Sequence, residues 1–246
     1  MMGHGEVRRT DSRGRAFAGS QLQIQIYVNR RPDDVNANIR SALGPALPAR
    51  AEIVWRSPLE SEGFAEYRDG EFLAALGLPH LREKLAGFWP EGGPRWDGLA
   101  IVNDPAKSDP SAYLLVEAKS YPKEVFGPGC QAQPDSRRTI EAALRVTKAW
   151  AGAEESADWL GALYQYGNRL AHVYFLRQIA NLRAWLVNLC FLGDPHRPTG
   201  RAVWENGLTA IREGLGFRGR RVPYTVNVFL SAPDQSELAK SLLNNN

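Results

Sequence analysis

The stretch RWDGLAIVNDPAKSDPSAYLLVEAKSY, Arg95 to Tyr121, decides the fold. Two apolar runs flank the polar segment Asn103 to Ser111, where Asp, Pro and Ser are turn formers. The pattern predicts a β-hairpin that pairs Trp96–Val102 antiparallel with Ala112–Ser120. A loop symmetric about Lys107 sets Asp97 directly opposite Glu117. Side chains alternate faces along a strand, so Glu117 and Lys119 share a face with Asp97 while Ala118 points the other way. Leu99, Ala100, Ile101, Leu114, Leu115 and Val116 are apolar on both faces, the mark of strands buried on both sides. Two carboxylates and an ammonium therefore converge at the rim of a buried sheet. Unpaired charges there are costly, and they require partners or a metal ion.

At these residues the chain resembles a known family. Asp97, followed by Glu117-Ala118-Lys119 at the end of an apolar strand, is similar to the signature of the PD-(D/E)XK nuclease superfamily, which includes many restriction and repair endonucleases. In that family a strand hairpin carries the Asp and the E-x-K triplet, and a preceding helix often adds a Glu. Trp96 precedes Asp97 here and the nearest proline is Pro94, so the namesake Pro-Asp pair is missing. The resemblance covers about Ser57 to Pro195. It implies an α/β fold with a restriction-endonuclease-like αβββαβ core, a central mixed sheet flanked by helices, and N- and C-terminal additions. It further implies hydrolysis of phosphodiester bonds with Mg²⁺ or Mn²⁺ as cofactor. Asp97, Glu117 and Glu66 would ligate the metal and Lys119 would complete the catalytic set. The implied partner is nucleic acid, DNA foremost, and many endonucleases of this fold work as homodimers. The alternative is a catalytically inactive module on the same fold that binds nucleic acid or protein.

Composition bounds these readings without choosing between them. A chain of 246 residues fits one large α/β domain as well as two small ones. A net charge of +3 permits a nucleic-acid partner without demanding one, because local patches matter more than the sum. Cys130 and Cys190 are isolated and the four histidines are scattered, which speaks against a disulfide framework and a zinc site. The opening MMGHGEVRRTDSRGR lacks the apolar core of a signal peptide, and no apolar run is long enough to span a bilayer. The expectation is a cytoplasmic protein with no membrane partner. Residues 1–19, polar and rich in Gly and Arg, read as disordered, and residues 20–246 as one nuclease-like domain with its core at about 57–195.

The flanking elements follow from periodicity and caps. Gln21–Val28 alternates strictly and predicts an edge strand. Asp33 or Asp34 caps a short helix ending at Gly44-Pro45, and Glu52–Trp55 is a short strand; either this or the Gln21 strand supplies the third strand of the meander. Ser57-Pro58-Leu59-Glu60 matches a capping box and predicts a helix to Leu76. On that helix Glu66 and Asp69 fall in the packing arc with Ala65, Phe72, Leu73 and Leu76, which makes Glu66 the candidate helix acid and Asp69 its substitute. A short helix, Leu81–Phe88, precedes the hairpin. A helix from Asp135 to about Trp150 carries Arg137, Arg138, Arg145 and Lys148 on one arc, a candidate phosphate-binding stripe. The next helix, from Ser156 or Asp158 to about Ala180, has an apolar face of Leu160, Leu163, Tyr166, Leu170, Val173 and Tyr174. Its opposite arc gathers Gln165, Asn168, Arg169 and His172, of which Gln165 and Arg169 join the candidate nucleic-acid contacts. Ala184–Leu192 predicts a strand that joins the hairpin, Thr199–Gly214 a helix, and Tyr224–Leu230 a last strand.

Overall fold

Alternation over Gln21–Val28 predicts a strand, yet in the computed structural model these residues form helix α1 (Gly19–Arg30). The polar half of the alternation is not outward: Gln23 and Gln25 are buried along with Leu22, Ile24, Tyr27 and Val28. Gln25 is satisfied there, accepting from the Ala16 N–H at 2.9 Å and donating to the Gly14 carbonyl at 3.1 Å. The structure describes residues 10–233; residues 1–9 of the leader and the polar tail from 234 lie outside them. Residues 10–18, assigned by composition to a disordered leader, make a turn in which the Asp11 carboxylate accepts from the Arg13 and Arg15 amides. Helix α2 (Pro32–Leu43) starts with Pro32 at its first position and both acids in its first turn, and Gly44 ends it. Strand β1 (Glu52–Ser57) takes the place predicted for a short strand and thus supplies the third strand of the meander.

The helix predicted from Ser57 does not form. Ser57 closes β1, and only a single 3₁₀ turn, Glu60–Glu62, follows. Asn29 on α1 supplies from a distance what the capping box would have supplied locally. Its Oδ1 accepts from the Glu60 N–H and its Nδ2 donates to the Pro58 carbonyl, each at 2.8 Å. Arg30 holds the Glu60 carboxylate at 2.6 Å. Gly63 then takes a left-handed φ of 63°, which stops the turn. Helix α3 (Asp69–Ala75) is therefore much shorter than predicted, and Glu66 lies on the loop before it. Helix α4 (Arg82–Phe88) follows a 3₁₀ turn.

The hairpin forms as read. Strands β2 (Gly98–Asn103) and β3 (Ala112–Lys119) pair antiparallel from Gly98 opposite Val116 to Val102 opposite Ala112. That register carries Asp97 to the position facing Glu117. Helix α5 (Pro134–Ala151) begins with Pro134, with Gln133 rather than Asp135 as its cap residue. Helix α6 (Tyr164–Tyr174) starts later than predicted, because Asp158 turns the chain separately by accepting from the Leu160 and Gly161 amides. It continues through a wide π turn, Phe175–Ile179. Strand β4 (Ala184–Leu192), helix α7 (Arg201–Gly214) and strand β5 (Thr225–Ser231) complete the chain.

The five strands form one mixed sheet in the order β1-β2-β3-β4-β5, antiparallel as far as β3 and parallel from β3 to β5. Each face carries its own core. Ile24 and Tyr27 of α1, with Val35 and Ile39 of α2, cover Ala100, Leu114, Val116 and Val187. On the other face α3 to α7 cover Leu99, Ile101, Leu115 and Leu186. β3, buried on both faces from Ala112 to Ala118, is thus the central strand. No helix among the described residues is long and apolar enough to cross a membrane.

Gly98 sits where β2 meets α1. A Cβ there would lie 3.0 Å from Ile24, 3.1 Å from Trp55 and 3.3 Å from Val116. Gly98→Val is therefore expected to lower stability by about 1–3 kcal/mol through overpacking. Gly87→Ala, in α4 with open space beside it, is expected to be neutral or to raise stability by up to about 1 kcal/mol. Urea denaturation midpoints of the two variants measure the contrast.

Candidate active site

β3 ends on the rim of the sheet, and its last alternating positions place Glu117 and Lys119 on the face that α6 covers. The Lys119 Nζ donates to Glu117 Oε1 at 2.5 Å and lies 3.7 Å from Asp97 Oδ2. Asp97 stays in register by accepting the Ala118 N–H at 2.8 Å with that same Oδ2. From α6, the Arg169 Nε donates to Glu117 Oε2 at 2.6 Å. Arg169 is itself fixed: its Nη1 reaches Asn168 Oδ1 at 3.0 Å, and its guanidinium lies 5.8 Å from the centre of the Trp96 ring. Asp97, Glu117 and Lys119 come together as read from the sequence, and Arg169 joins them as a carboxylate partner. The arc that holds Arg169 is not simply a solvated one, since Asn168 and His172 on it are buried.

The charges explain one another. Burial works against an ionised Glu117, but Arg169 and Lys119 outweigh it and hold the carboxyl below its ordinary range. Asp97 has no such escort. Burial and then the charge of Glu117 push it up to about 7, with Lys119 only partly opposing. Burial lowers Lys119, but Glu117 and Asp97 prevail and keep it an ammonium well above its ordinary range. The site thus holds a firmly ionised Glu117, a firmly protonated Lys119 and an Asp97 that shares that ammonium at 3.7 Å with no second cation beside it.

Glu66 sits within electrostatic range of Glu117, Asp97 and Lys119. Burial raises its pKa, and Gln21 of α1 opposes that by donating to Glu66 Oε1 at 2.9 Å. Asp69 turns elsewhere and accepts from the Gly92 and Gly93 amides, and Glu71 is exposed. Among the described residues, no three His, Cys, Asp or Glu side chains are grouped so as to hold a metal ion. The candidate ligands are therefore Asp97 and Glu117, whose oxygens face one ammonium, while Glu66 stands behind them. Two carboxylates fit Mg²⁺, which keeps several waters and binds through one or two carboxylates. The unbalanced charge of Asp97 is what such an ion would offset.

The stripe on α5 is largely consumed by its neighbours. Arg137 pairs with Glu141 at 2.9 Å, Arg138 pairs with Asp135, and Lys148 donates to the Glu155 and Ala157 carbonyls. Gln165, by contrast, is exposed and lines a small cavity beside Glu117, Lys119 and Arg169. Sequence reading missed Gln21, hidden in the apparent strand. It also missed Asn188 on β4, which stands opposite Glu117 and donates to the Tyr166 hydroxyl at 2.9 Å. A lone Asn inside the apolar run AWLVNLCFL was the available signal, since a buried amide needs partners.

No family model, no curated protein and no solved structure matches this chain.

Arg169→Met removes one of the two cations on a buried carboxylate. The loss of stability is expected to be about 3 kcal/mol at pH 7. The contribution of a carboxyl with a depressed pKa is present above its unfolded value and fades as pH falls through the folded one. The gap between parent and variant should therefore shrink toward pH 3. Urea unfolding at both pH values checks the size and the sign.

Proposed function

We propose that the protein is a metal-dependent nuclease that hydrolyses phosphodiester bonds of nucleic acid. The observation that carries this reading is the convergence of Asp97, Glu117 and Lys119 at the rim of a three-stranded meander. The order is in keeping with it: helices α1 and α2, strand β1, then after α3 and α4 the hairpin β2-β3, antiparallel throughout, helices α5 and α6, then parallel β4. This resembles the αβββαβ order of the restriction-endonuclease-like fold, with α1 and α2 in place of the helix expected at Ser57 and with α3 and α4 added between β1 and β2.

Asp97 and Glu117 would hold Mg²⁺ or Mn²⁺, which when bound supplies Lewis-acid charge at the phosphoryl group and eases the deprotonation of water. Lys119, kept protonated by its two acids, is not a base. Its ammonium stabilises negative charge developing on the phosphoryl oxygens and orients the attacking water. Arg169 fixes the Glu117 carboxylate in one orientation, and Gln21 does the same for Glu66. Trp96, fully buried against Phe72 and His172, anchors the strand entry that places Asp97.

A second reading has its own observation. Both oxygens of Glu117 already have cationic partners, Lys119 and Arg169. A module that had lost catalysis would need no metal there and would still bind nucleic acid or protein.

Metal linkage separates the two. An acid whose folded pKa is raised costs stability once it ionises, so stability should fall from about pH 4 to about pH 7 and level off above. Asp97→Asn should remove that fall. At pH 8, millimolar Mg²⁺ should raise the melting temperature of the parent but not of Asp97→Asn. A parent that Mg²⁺ leaves unmoved would favour the binding module.

Cleavage is the direct test. With Mg²⁺ or Mn²⁺ the protein should cut DNA or RNA in a gel assay, and chelation should stop it. Lys119→Met should lower the rate by about a hundredfold or more while leaving affinity nearly intact, since the ammonium acts on the transition state more than on the bound substrate. Cutting by Lys119→Met at the parental rate would overturn the mechanism.

A further inference from the structure

The site does not end at Glu117. Strand pairing sets Glu117 opposite Asn188 and Asn188 opposite Asn227, so with Asp97 four polar residues cross the sheet in one row. The two amides are linked: Asn188 Nδ2 donates to Asn227 Oδ1 and to the Tyr166 hydroxyl, each at 2.9 Å. The row opens into a groove of about 650 Å³ between α7 and the edge strand β5, lined by Tyr166, Arg212, Arg221, Thr225, Asn227 and Phe229. A cavity of about 20 Å³, shared by Glu117, Lys119, Tyr166 and Asn188, lies between groove and carboxylates.

The groove is cationic without compensation. Glu205, the acid on its wall among the described residues, is held by Arg201 at 3.0 Å. Arg212 Nε is buried with no hydrogen-bond partner among the described residues, and its Nη2 meets Thr209 only at 3.4 Å. Arg221 is exposed and makes no ion pair among the described residues. Asn227 is exposed as well, and because its oxygen accepts from Asn188, its amide hydrogens are left to donate outward. A half-buried guanidinium with an unmet donor calls for an anion, and planar guanidinium forks suit phosphate. The contrast with α5, where acids and carbonyls occupy three of the four cations, is direct.

We propose that this groove holds the phosphate backbone of the nucleic-acid strand that flanks the scissile bond, with Arg212 and Arg221 as its phosphate contacts. This rests on the nuclease reading and places the flanking strand at the β5 end of the row, where Asn227 is exposed. Two strand spacings separate β3 from β5, roughly 10 Å. That is about three nucleotides at a rise of ~3.4 Å each. Thr209 and the Asn227 amide supply neutral donors beside the guanidiniums, as sequence-tolerant single-strand channels do.

Binding of a fluorescein-labelled oligothymidylate of about 12 nucleotides, measured by anisotropy in EDTA at several salt concentrations, tests this without cleavage. Arg212→Gln with Arg221→Gln should weaken binding by roughly tenfold or more. It should also make the slope of log K against log salt shallower by about 1.4, at 0.7 per lost phosphate contact. Arg221→Gln alone, on an exposed side chain that threatens no packing, should give about half of that slope change. Arg138→Gln with Arg145→Gln on α5 should change neither quantity. If the parent binds and the groove variants bind equally well, the groove assignment is overturned while the nuclease reading stands. If the parent binds neither this strand nor the matching duplex, both fall together.

Discussion

A single buried anion organises this protein. The Glu117 carboxylate ends the central strand with little access to water, and ionised groups in such places survive only with partners. It has two, one from its own strand and one from α6. Lys119 follows from sequence spacing alone. Arg169 arrives only if α6 packs across β3 at one angle, so the ion pair and the helix packing specify each other. Breaking either side leaves an uncompensated charge, which costs more than the pair contributes when whole. The strain that remains is electrostatic and sits on Asp97, which faces the same ammonium without a cation of its own.

The two faces of the sheet divide the work. The α1–α2 face is almost wholly apolar and fixes where the strands lie. Tyr27 stacks on Phe191 at 5.8 Å, and its hydroxyl donates to the Ser231 carbonyl at 2.6 Å, tying the first helix to the last strand. The other face carries the charged rim, the row of amides and the cationic groove. Gln21 and Asn29 connect the two. Both sit on α1, yet one orients Glu66 and the other holds the loop that brings Glu66 to the rim. An acid expected on a helix is instead delivered by a loop that is clamped from outside.

The same geometry bears on both functional readings. A nuclease needs Asp97 and Glu117 free enough to take a metal ion, whereas a binding module is content with Glu117 fully engaged. The outcome depends on competition: a divalent cation must compete with Lys119 and Arg169 for one carboxylate while relieving the other. The groove assignment goes with the nuclease reading, in which the strand at Arg212 and Arg221 would be the one that flanks the scissile bond at the carboxylates.

The hairpin was legible in the sequence from its two apolar runs, and its register from a loop taken as symmetric about Lys107, the pairing that β2 and β3 adopt. That pairing alone placed Asp97 opposite Glu117 with Lys119 beside them. Strand β4, with its apolar run and Gly stop, was equally plain. What the sequence misreported were segments whose polar groups are buried or paired outside their own stretch. Gln23 and Gln25 looked like the wet side of a strand, but α1 buries both, and Gln25 finds its partners in the turn before it. The capping box at Ser57 looked complete, but Asn29 reached Glu60 first. Arg169 and Asn188 could be singled out as polar residues in apolar surroundings, though not assigned to Glu117 and Tyr166. Arg212 and Asn227 line one groove only because β5 pairs parallel to β4, with α7 between the two strands in the chain. Local pattern encodes which groups a short stretch can satisfy by itself, and only the tertiary fold decides where the remaining buried charges and amides find their partners.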